Sequence, residues 1–231
     1  ILQYPLRYQA DFLFACSREA GEWLFGKKFI RSRKYVMFPN AIDIKKFKYN
    51  EEIRNEYRRK FNMEDKIVFG HVGRFVKSKN HMFLLDVFNE IHRRNNNTVL
   101  ILIGDGELRS EIKARIHHLG IDDSVVLTGS RSDVPNLLQA MDAFLFPSLW
   151  EGLPVTLVEA QAAGLPCLIS DSITKDIDIS CLINRLPMDV NKWADFALLP
   201  PVRKDVSQVL KTSGYDINES AKFLTMFYTQ I

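Results

Sequence analysis

Two glutamates eight positions apart, Glu151 and Glu159, flank a glycine, a proline and the start of an apolar helix in the stretch FLFPSLWEGLPVTLVEAQAAG, residues 144–164. Pro154 suits the first position of that helix, where its missing N–H would have no partner in any case. The free N–H groups of the first turn, around Leu153, Pro154 and Val155, point back at the loop and can hold an anion. Gly152 lets a ligand come close to the backbone. Glu159 falls among Val155, Leu157, Val158, Ala160, Ala162 and Ala163, an apolar setting in which an unpaired carboxylate is costly. A sugar or ribose diol is one partner for it, and an arginine or backbone amides are the other. A second set is Gly73-Arg74-Phe75-Val76-Lys77-Ser78-Lys79-Asn80. Arg74 offers a planar fork for phosphate oxygens and Lys79 a point charge near a helix start, although an Arg and a Lys in a loop are otherwise ordinary surface residues. Gly104-Asp105-Gly106 permits a tight turn against a ligand but falls short of a full dinucleotide fingerprint. In Gly129-Ser130-Arg131-Ser132-Asp133-Val134, Asp133 reads as the cap of the next helix. Asp176-Ile177-Asp178 spaces two carboxylates as a divalent cation would want, with no second ligand set nearby. None of the five histidines has metal spacing, so no metal site is expected.

The elements around these residues alternate. Lys66–Val72, Thr98–Ile103, Ser124–Thr128, Ala143–Phe146 and Pro166–Ser170 read as strands, and Leu182–Leu186 as a candidate sixth. They are continuous apolar runs, as parallel strands covered on both faces must be. Between them, Asn80–Arg93, Glu107–Leu119, Val134–Met141 and Pro154–Ala163 read as helices. Strand then helix, repeated, argues an α/β fold with a Rossmann-like doubly wound parallel sheet. In such sheets ligands lie beyond the carboxyl ends of the strands, where the loops named above fall. Upstream, Asp11–Cys16 and Tyr35–Phe38 read as short strands, with a Ser17-capped helix to about Lys27 between them, followed by a charged helix from Glu51 to Phe61. Downstream, Asn191–Leu198, Lys204–Lys211 and Ile217–Tyr228 read as helices.

In order and spacing these motifs resemble the retaining glycosyltransferases of the GT-B fold, family 4, the "glycosyl transferases group 1" of capsule, exopolysaccharide and lipopolysaccharide synthesis. The likeness rests on Glu151-Gly152-Leu153-Pro154 with Glu159-Ala160, Gly73-Arg74 with Lys79-Asn80, Gly104-Asp105-Gly106, and Pro39-Asn40-Ala41-Ile42-Asp43, where the family usually has glycine at position 41. The resemblance implies that Arg74, Lys79 and Glu151 are catalytic. It also implies that Gly73, Arg131, Val134, Gly152, Leu153, Pro154, Val155 and Glu159 bind the donor. Arg74, Lys79 and the amides of residues 152–155 would serve the diphosphate, Glu151 the donor sugar and Glu159 the ribose. The backbone near Arg131 and Val134 would meet the base. The donor would be a nucleotide sugar, most simply a UDP-sugar, and the acceptor a saccharide or a lipid-linked one, with no cofactor or metal. Residues 1–38 would be the remnant of an acceptor-binding first domain, 39–200 the nucleotide-sugar domain, and 201–231 a helical tail that crosses back toward the first domain. Two other readings share these motifs: a nucleotide-sugar 2-epimerase of the same fold, and a non-catalytic nucleotide-sugar-binding subunit.

Composition sets the remaining bounds. At 231 residues the chain can bury a large core, and no apolar run approaches the ~20 residues of a membrane-spanning helix. It does not begin with Met, and reads either as a fragment of a longer protein or as a processed chain. Cys16, Cys167 and Cys181 form neither a close pair nor a metal motif, which fits a reducing cytoplasm. The net charge of +3 is uneven: residues 1–60 hold 14 Lys and Arg against 7 Asp and Glu (+7), and the rest 17 against 21 (−4). A basic first quarter can face anionic lipid or an acidic acceptor, or simply be a solvated surface. The expected location is cytoplasmic, with peripheral contact at the inner face of the membrane, and no nucleic-acid partner is expected.

Overall fold

The structure, a computed structural model, describes residues 3–230. It opens with α1 (Gln3–Gln9), β1 (Leu13–Ala15), α2 (Arg18–Phe25) and β2 (Tyr35–Met37). Ser17 caps α2 by accepting from the Ala20 N–H, and Gly26, at φ 86°, ends it. β1 and β2 pair in parallel as a small sheet of their own. Two helices follow, α3 (Ile44–Phe47) and α4 (Glu51–Lys60), capped by the Asp43 and Asn50 side chains. Ala41 is not among the residues with positive φ, so alanine fits where the family usually has glycine.

The alternating region runs β3 (Ile67–Val72), α5 (His81–Arg94), β4 (Thr98–Ile103), α6 (Arg109–Leu119), β5 (Val125–Gly129), α7 (Val134–Ala140), β6 (Ala143–Phe146), α8 (Val155–Ala162), β7 (Cys167–Ser170) and β8 (Ile183–Leu186). These six strands form one sheet, all parallel, in the order β5-β4-β3-β6-β7-β8. The doubly wound expectation holds, and Leu182–Leu186 does supply the sixth strand. Alternate side chains feed two cores, because successive residues of a strand face opposite sides. Val68, Ile101, Ile103, Phe144 and Phe146 pack on one face with α7 and α8. Phe69, Leu100, Leu102 and Leu145 pack on the other with α5 and with Trp193. Gly70 is required by packing: a Cβ there would fall 2.1 Å from the Met141 sulfur.

After β8 come α9 (Val190–Ala197), α10 (Ser207–Thr212) and α11 (Ile217–Thr229). α11 is joined to the crossover segment through Ile42, whose N–H donates to Tyr215 O and whose carbonyl accepts from Ile217 N–H. Its apolar face lies on the β1–β2 unit: Phe227 meets Phe12 and Phe14 edge-on at 4.7 and 5.2 Å, and Phe223 meets Phe38 at 5.8 Å. The last helix is thus docked on the first residues of the chain, yet none of its residues is fully buried, and Met226 and Tyr228 stay exposed.

At the amino ends of the strands, three arginines converge on the turn between α7 and β6. Arg54 donates to Gln139 O, Ala140 O and Met141 O and reaches Asp142 at 2.5 Å. Arg58 bonds Ala140 O, Asp142, Glu64 O and Lys66 O. Arg203 bonds Ala163 O, Leu138 O, Gln139 O and Met141 O. Asp142 also accepts from the Val68 N–H, tying β6 to β3.

Candidate active site

The strand order reverses between β3 and β6: the chain winds outward from β3 to β5, then returns to β6 and winds the other way. The loops leaving these two strands part at that point, which opens a crevice at their carboxyl ends. The first carries Gly73, Arg74 and Lys79, and the second carries Ser148 to Val155. Backbone bonds lace the surrounding loops together. Gly73 N–H donates to Ile103 O, Phe75 N–H to Asp105 O, Gly104 N–H to Gly129 O, and Leu149 N–H to Ser78 O at 2.7 Å. Gly104, at φ 141°, has no room for a side chain, because a Cβ would fall 2.0 Å from Gly73 O. At Gly106 a Cβ would fall 2.5 Å from Phe75 O. The glycines that the sequence read as a tight turn let one loop backbone lie against another, and so fix the Arg74–Lys79 loop.

Lys79 closes a one-turn 3-10 helix, and Asn80 then takes a left-handed conformation (φ 55°, ψ 47°) that turns the chain into α5. The Lys79 stem passes over the Phe146 ring, its Nζ 4.9 Å from the centroid, and Nζ lies 2.7 Å from Glu151 Oε1. Both side chains are largely withdrawn from solvent, 15% and 16% exposed, and the pair is close as ions but outside hydrogen-bond geometry. The structure therefore joins two of the three candidate catalytic residues. The third, Arg74, is exposed and, among the described residues, has no carboxylate partner. Beneath them lie His71 and His81, with rings 5.0 Å apart. His71 Nδ1 lies 2.8 Å from Leu145 O. Burial holds the His71 imidazole well below its usual range, and burial and Lys79 push His81 down to about 4. The pair is neutral at pH 7, which keeps further positive charge from beneath Lys79.

On the other loop, Pro154 is the residue before α8 rather than part of its first turn. Gly152 is exposed, with open space where a Cβ would be, so nothing in the fold itself requires glycine there. Glu159 faces a half-buried setting that holds its carboxyl above the usual range, with Lys46 pulling the other way. No arginine bonds Glu159 among the described residues, so the structural partner that the sequence left open is not found there. Leu153 and Val155 are half-buried and pack against the core.

The segment after β5 corrects a second expectation. Asp133 stands at the cap position of α7, but its carboxylate bonds no helix N–H. It takes the Arg131 guanidinium in a two-point fork, Nε to Oδ1 at 2.8 Å and Nη2 to Oδ2 at 2.6 Å, and accepts the Tyr57 hydroxyl at 2.8 Å. The Arg131 bonds hold the Asp133 carboxyl down at about 2. Val134 begins the helix. Asp176 and Asp178 stand apart from the crevice loops. The Asp178 carboxylate is taken by Arg185, and Asp176 accepts from the Arg18 N–H at 3.3 Å. Among the described residues no group of three or more His, Cys, Asp or Glu could hold a metal ion.

Ser148, His71, His81 and Tyr57 escaped the sequence reading. Ser148 is fully buried, and its hydroxyl has no hydrogen-bond partner among the described residues. Tyr57 lies 76 positions from Asp133, and no local pattern could have linked them.

The profile of one family, "Glycosyl transferases group 1", matches residues 53–176. The chain belongs to this family. Among its relatives is EpsF of Bacillus subtilis (strain 168), whose name assigns it to the glycosyltransferases; it is 36% identical over 228 residues, covering 95% of this chain and 59% of EpsF. The UDP-Gal:alpha-D-GlcNAc-diphosphoundecaprenol alpha-1,3-galactosyltransferase of Escherichia coli is 32% identical over 169 residues, covering 69% of this chain and 42% of that protein. The chain thus spans about half the length of these relatives. Among solved structures, Anabaena HepE in complex with UDP and glucose superposes with a TM-score of 0.80 at 18% identity, covering 98% of this chain and 65% of HepE. This member of the family therefore has the fold that its motifs implied.

Proposed function

We propose that this chain is the nucleotide-sugar-binding part of a retaining glycosyltransferase of cell-surface polysaccharide synthesis. It would use a UDP-sugar, need no metal, and glycosylate a saccharide or lipid-linked acceptor. The observation that carries the reading is the set of charges at the switch point: an arginine without a carboxylate partner among the described residues, beside a half-dry Lys79–Glu151 pair. The HepE complex with UDP and glucose, and the Escherichia coli enzyme named for UDP-Gal, support the choice of nucleotide.

In this reading the bond from the sugar C1 to the diphosphate oxygen breaks as negative charge builds on the departing UDP. Arg74 and Lys79 neutralise that charge, and the amides before α8 add donors to it. The acceptor oxygen bonds C1 on the face the diphosphate leaves, and its proton passes to a phosphate oxygen, so no other base is needed. Glu151 leaves Lys79 to the phosphate and meets the sugar hydroxyls. Glu159 accepts from the ribose hydroxyls. Residues 1–38 serve as the edge of an acceptor-binding domain, 39–200 hold the donor, and the tail over 201–231 bridges the two. The chain by itself binds donor and transfers poorly. Contact with anionic membrane follows from the basic first sixty residues; no helix among the described residues is long and apolar enough to cross a membrane.

Saturation-transfer NMR with UDP-, GDP- and ADP-sugars tests the donor. Preferential transfer to a UDP-sugar is expected, and no transfer to any of the three overturns the reading.

A further inference from the structure

Tyr57 lies on α4, ahead of the sheet, and takes no part in the chemistry described above. Its ring is buried in the core beside Phe61, and its hydroxyl donates to Asp133 Oδ2 at 2.8 Å and accepts from Asn136 Nδ2 at 3.1 Å. The next residue, Arg58, bonds Ala140 O, so α4 grips α7 at its last residue while Tyr57 holds the residue just before its first. Asp133, for its part, forgoes its own helix and spends both oxygens on Arg131 and Tyr57. A guanidinium fixed through Nε and Nη2 is a flat plate with a single orientation. Arg131 is exposed, two residues beyond the carboxyl end of β5, on the same side of the sheet as Arg74 and Glu151. Gly129, the last residue of β5, carries no side chain, and a Cβ there would meet only Arg109 Nη1, at 3.8 Å.

We propose that Tyr57, acting through Asp133, is a positioning residue that locks the Arg131 guanidinium as the platform on which the planar base of the donor nucleotide stacks. This rests on the donor reading above. Stacking on a fixed guanidinium is tolerant of base identity, so the relay adds affinity for the nucleoside half of the donor and leaves the diphosphate half alone.

Calorimetry with UDP and with inorganic pyrophosphate on the unaltered chain, Tyr57→Phe, Arg131→Ala and the double variant separates these halves. Phenylalanine keeps the buried ring and removes only the hydroxyl. Tyr57→Phe should raise the Kd for UDP about 3- to 10-fold, the ordinary net worth of one hydrogen bond, with the Kd for pyrophosphate unchanged. Arg131→Ala should raise the UDP Kd at least as far, and the double variant no further than Arg131→Ala alone. An unchanged UDP Kd in Tyr57→Phe overturns the relay. So does an equal loss for UDP and pyrophosphate, which would mean general loosening, or full additivity in the double variant. If the unaltered chain binds pyrophosphate but gains nothing from the nucleoside, the platform fails while the anion site stands. If it binds neither, the donor reading falls with it.

Discussion

The two ends of the central sheet use the same residue types in opposite ways. At the amino ends, Arg54, Arg58 and Arg203 are surrounded by carbonyls, and the first two share Asp142, so their charge is absorbed by the fold. Burial lowers even the Arg203 guanidinium to about 10. At the carboxyl ends, Arg74 has no carboxylate partner among the described residues, and Lys79 and Glu151 have chiefly each other. Of the buried side-chain nitrogen and oxygen atoms without a protein hydrogen bond among the described residues, all but Ser207 Oγ lie on this side: His71 Nε2, both nitrogens of His81, Ser148 Oγ, Glu151 Oε1 and Thr156 Oγ1. Leaving such a group unsatisfied costs about 1–3 kcal/mol. A sequence selected for stability alone would spread or remove that cost. On the reading proposed above, that concentration falls where a bound donor would supply the missing partners, while the other end is held by arginine–carbonyl bonds.

The contrast is broken most severely at Asp142. Asp142→Ala leaves Arg54 and Arg58 without their carboxylate in a largely dry site, and should cost about 3–5 kcal/mol of stability, measured by urea unfolding. The folded fraction should keep its affinity for UDP, and a loss below about 1 kcal/mol would mean that the amino end is not the anchor. At the opposite end, Arg74→Ala or Lys79→Ala should weaken UDP binding by ~1.5–3 kcal/mol in calorimetry with the fold intact. Unchanged affinity in both would remove them from the site. A smaller effect belongs to Glu159. Burial raises its folded-state pKa above the unfolded value, so its contribution to stability is fully present below the unfolded pKa and is lost as pH rises through the folded one. Glu159→Gln should therefore gain on the unaltered chain in urea midpoint as pH rises above the ordinary carboxylate range, by roughly 1 kcal/mol or less, while binding UDP less tightly. A difference that is flat with pH would contradict the assigned burial. The smallest expected effect is none: EDTA should leave nucleotide-sugar binding unchanged. Loss with EDTA and recovery with Mn²⁺ would return attention to Asp176 and Asp178.

Much of this was written locally in the chain. The apolar runs at 66–72, 98–103 and 143–146 could only be buried parallel strands, because both their faces are apolar and helical patterns separate them. Ser17 capping α2 and the position of Glu151 ahead of α8 are likewise matters of a few neighbouring residues. The motifs that fix the family, Gly73-Arg74 with Lys79 and Glu151 with Glu159, were legible for the same reason: they are short, and they follow strands whose ends a doubly wound sheet must bring together. What the sequence left open was pairing at a distance. Nothing near Lys79 indicates that its partner is Glu151, since they meet only because β3 and β6 are neighbours. Gly104 reads as a tight turn, and only the loop after β3 laid against it shows why no side chain fits there. Asp133 reads as a cap until Tyr57, from a helix that precedes the whole sheet, takes one of its oxygens and Arg131 the rest. Backbone preference and apolar periodicity act over a few residues and are printed in the chain. The choice of partner for a charge depends on which atoms the closed fold brings within about 3 Å, and only the tertiary structure decides that.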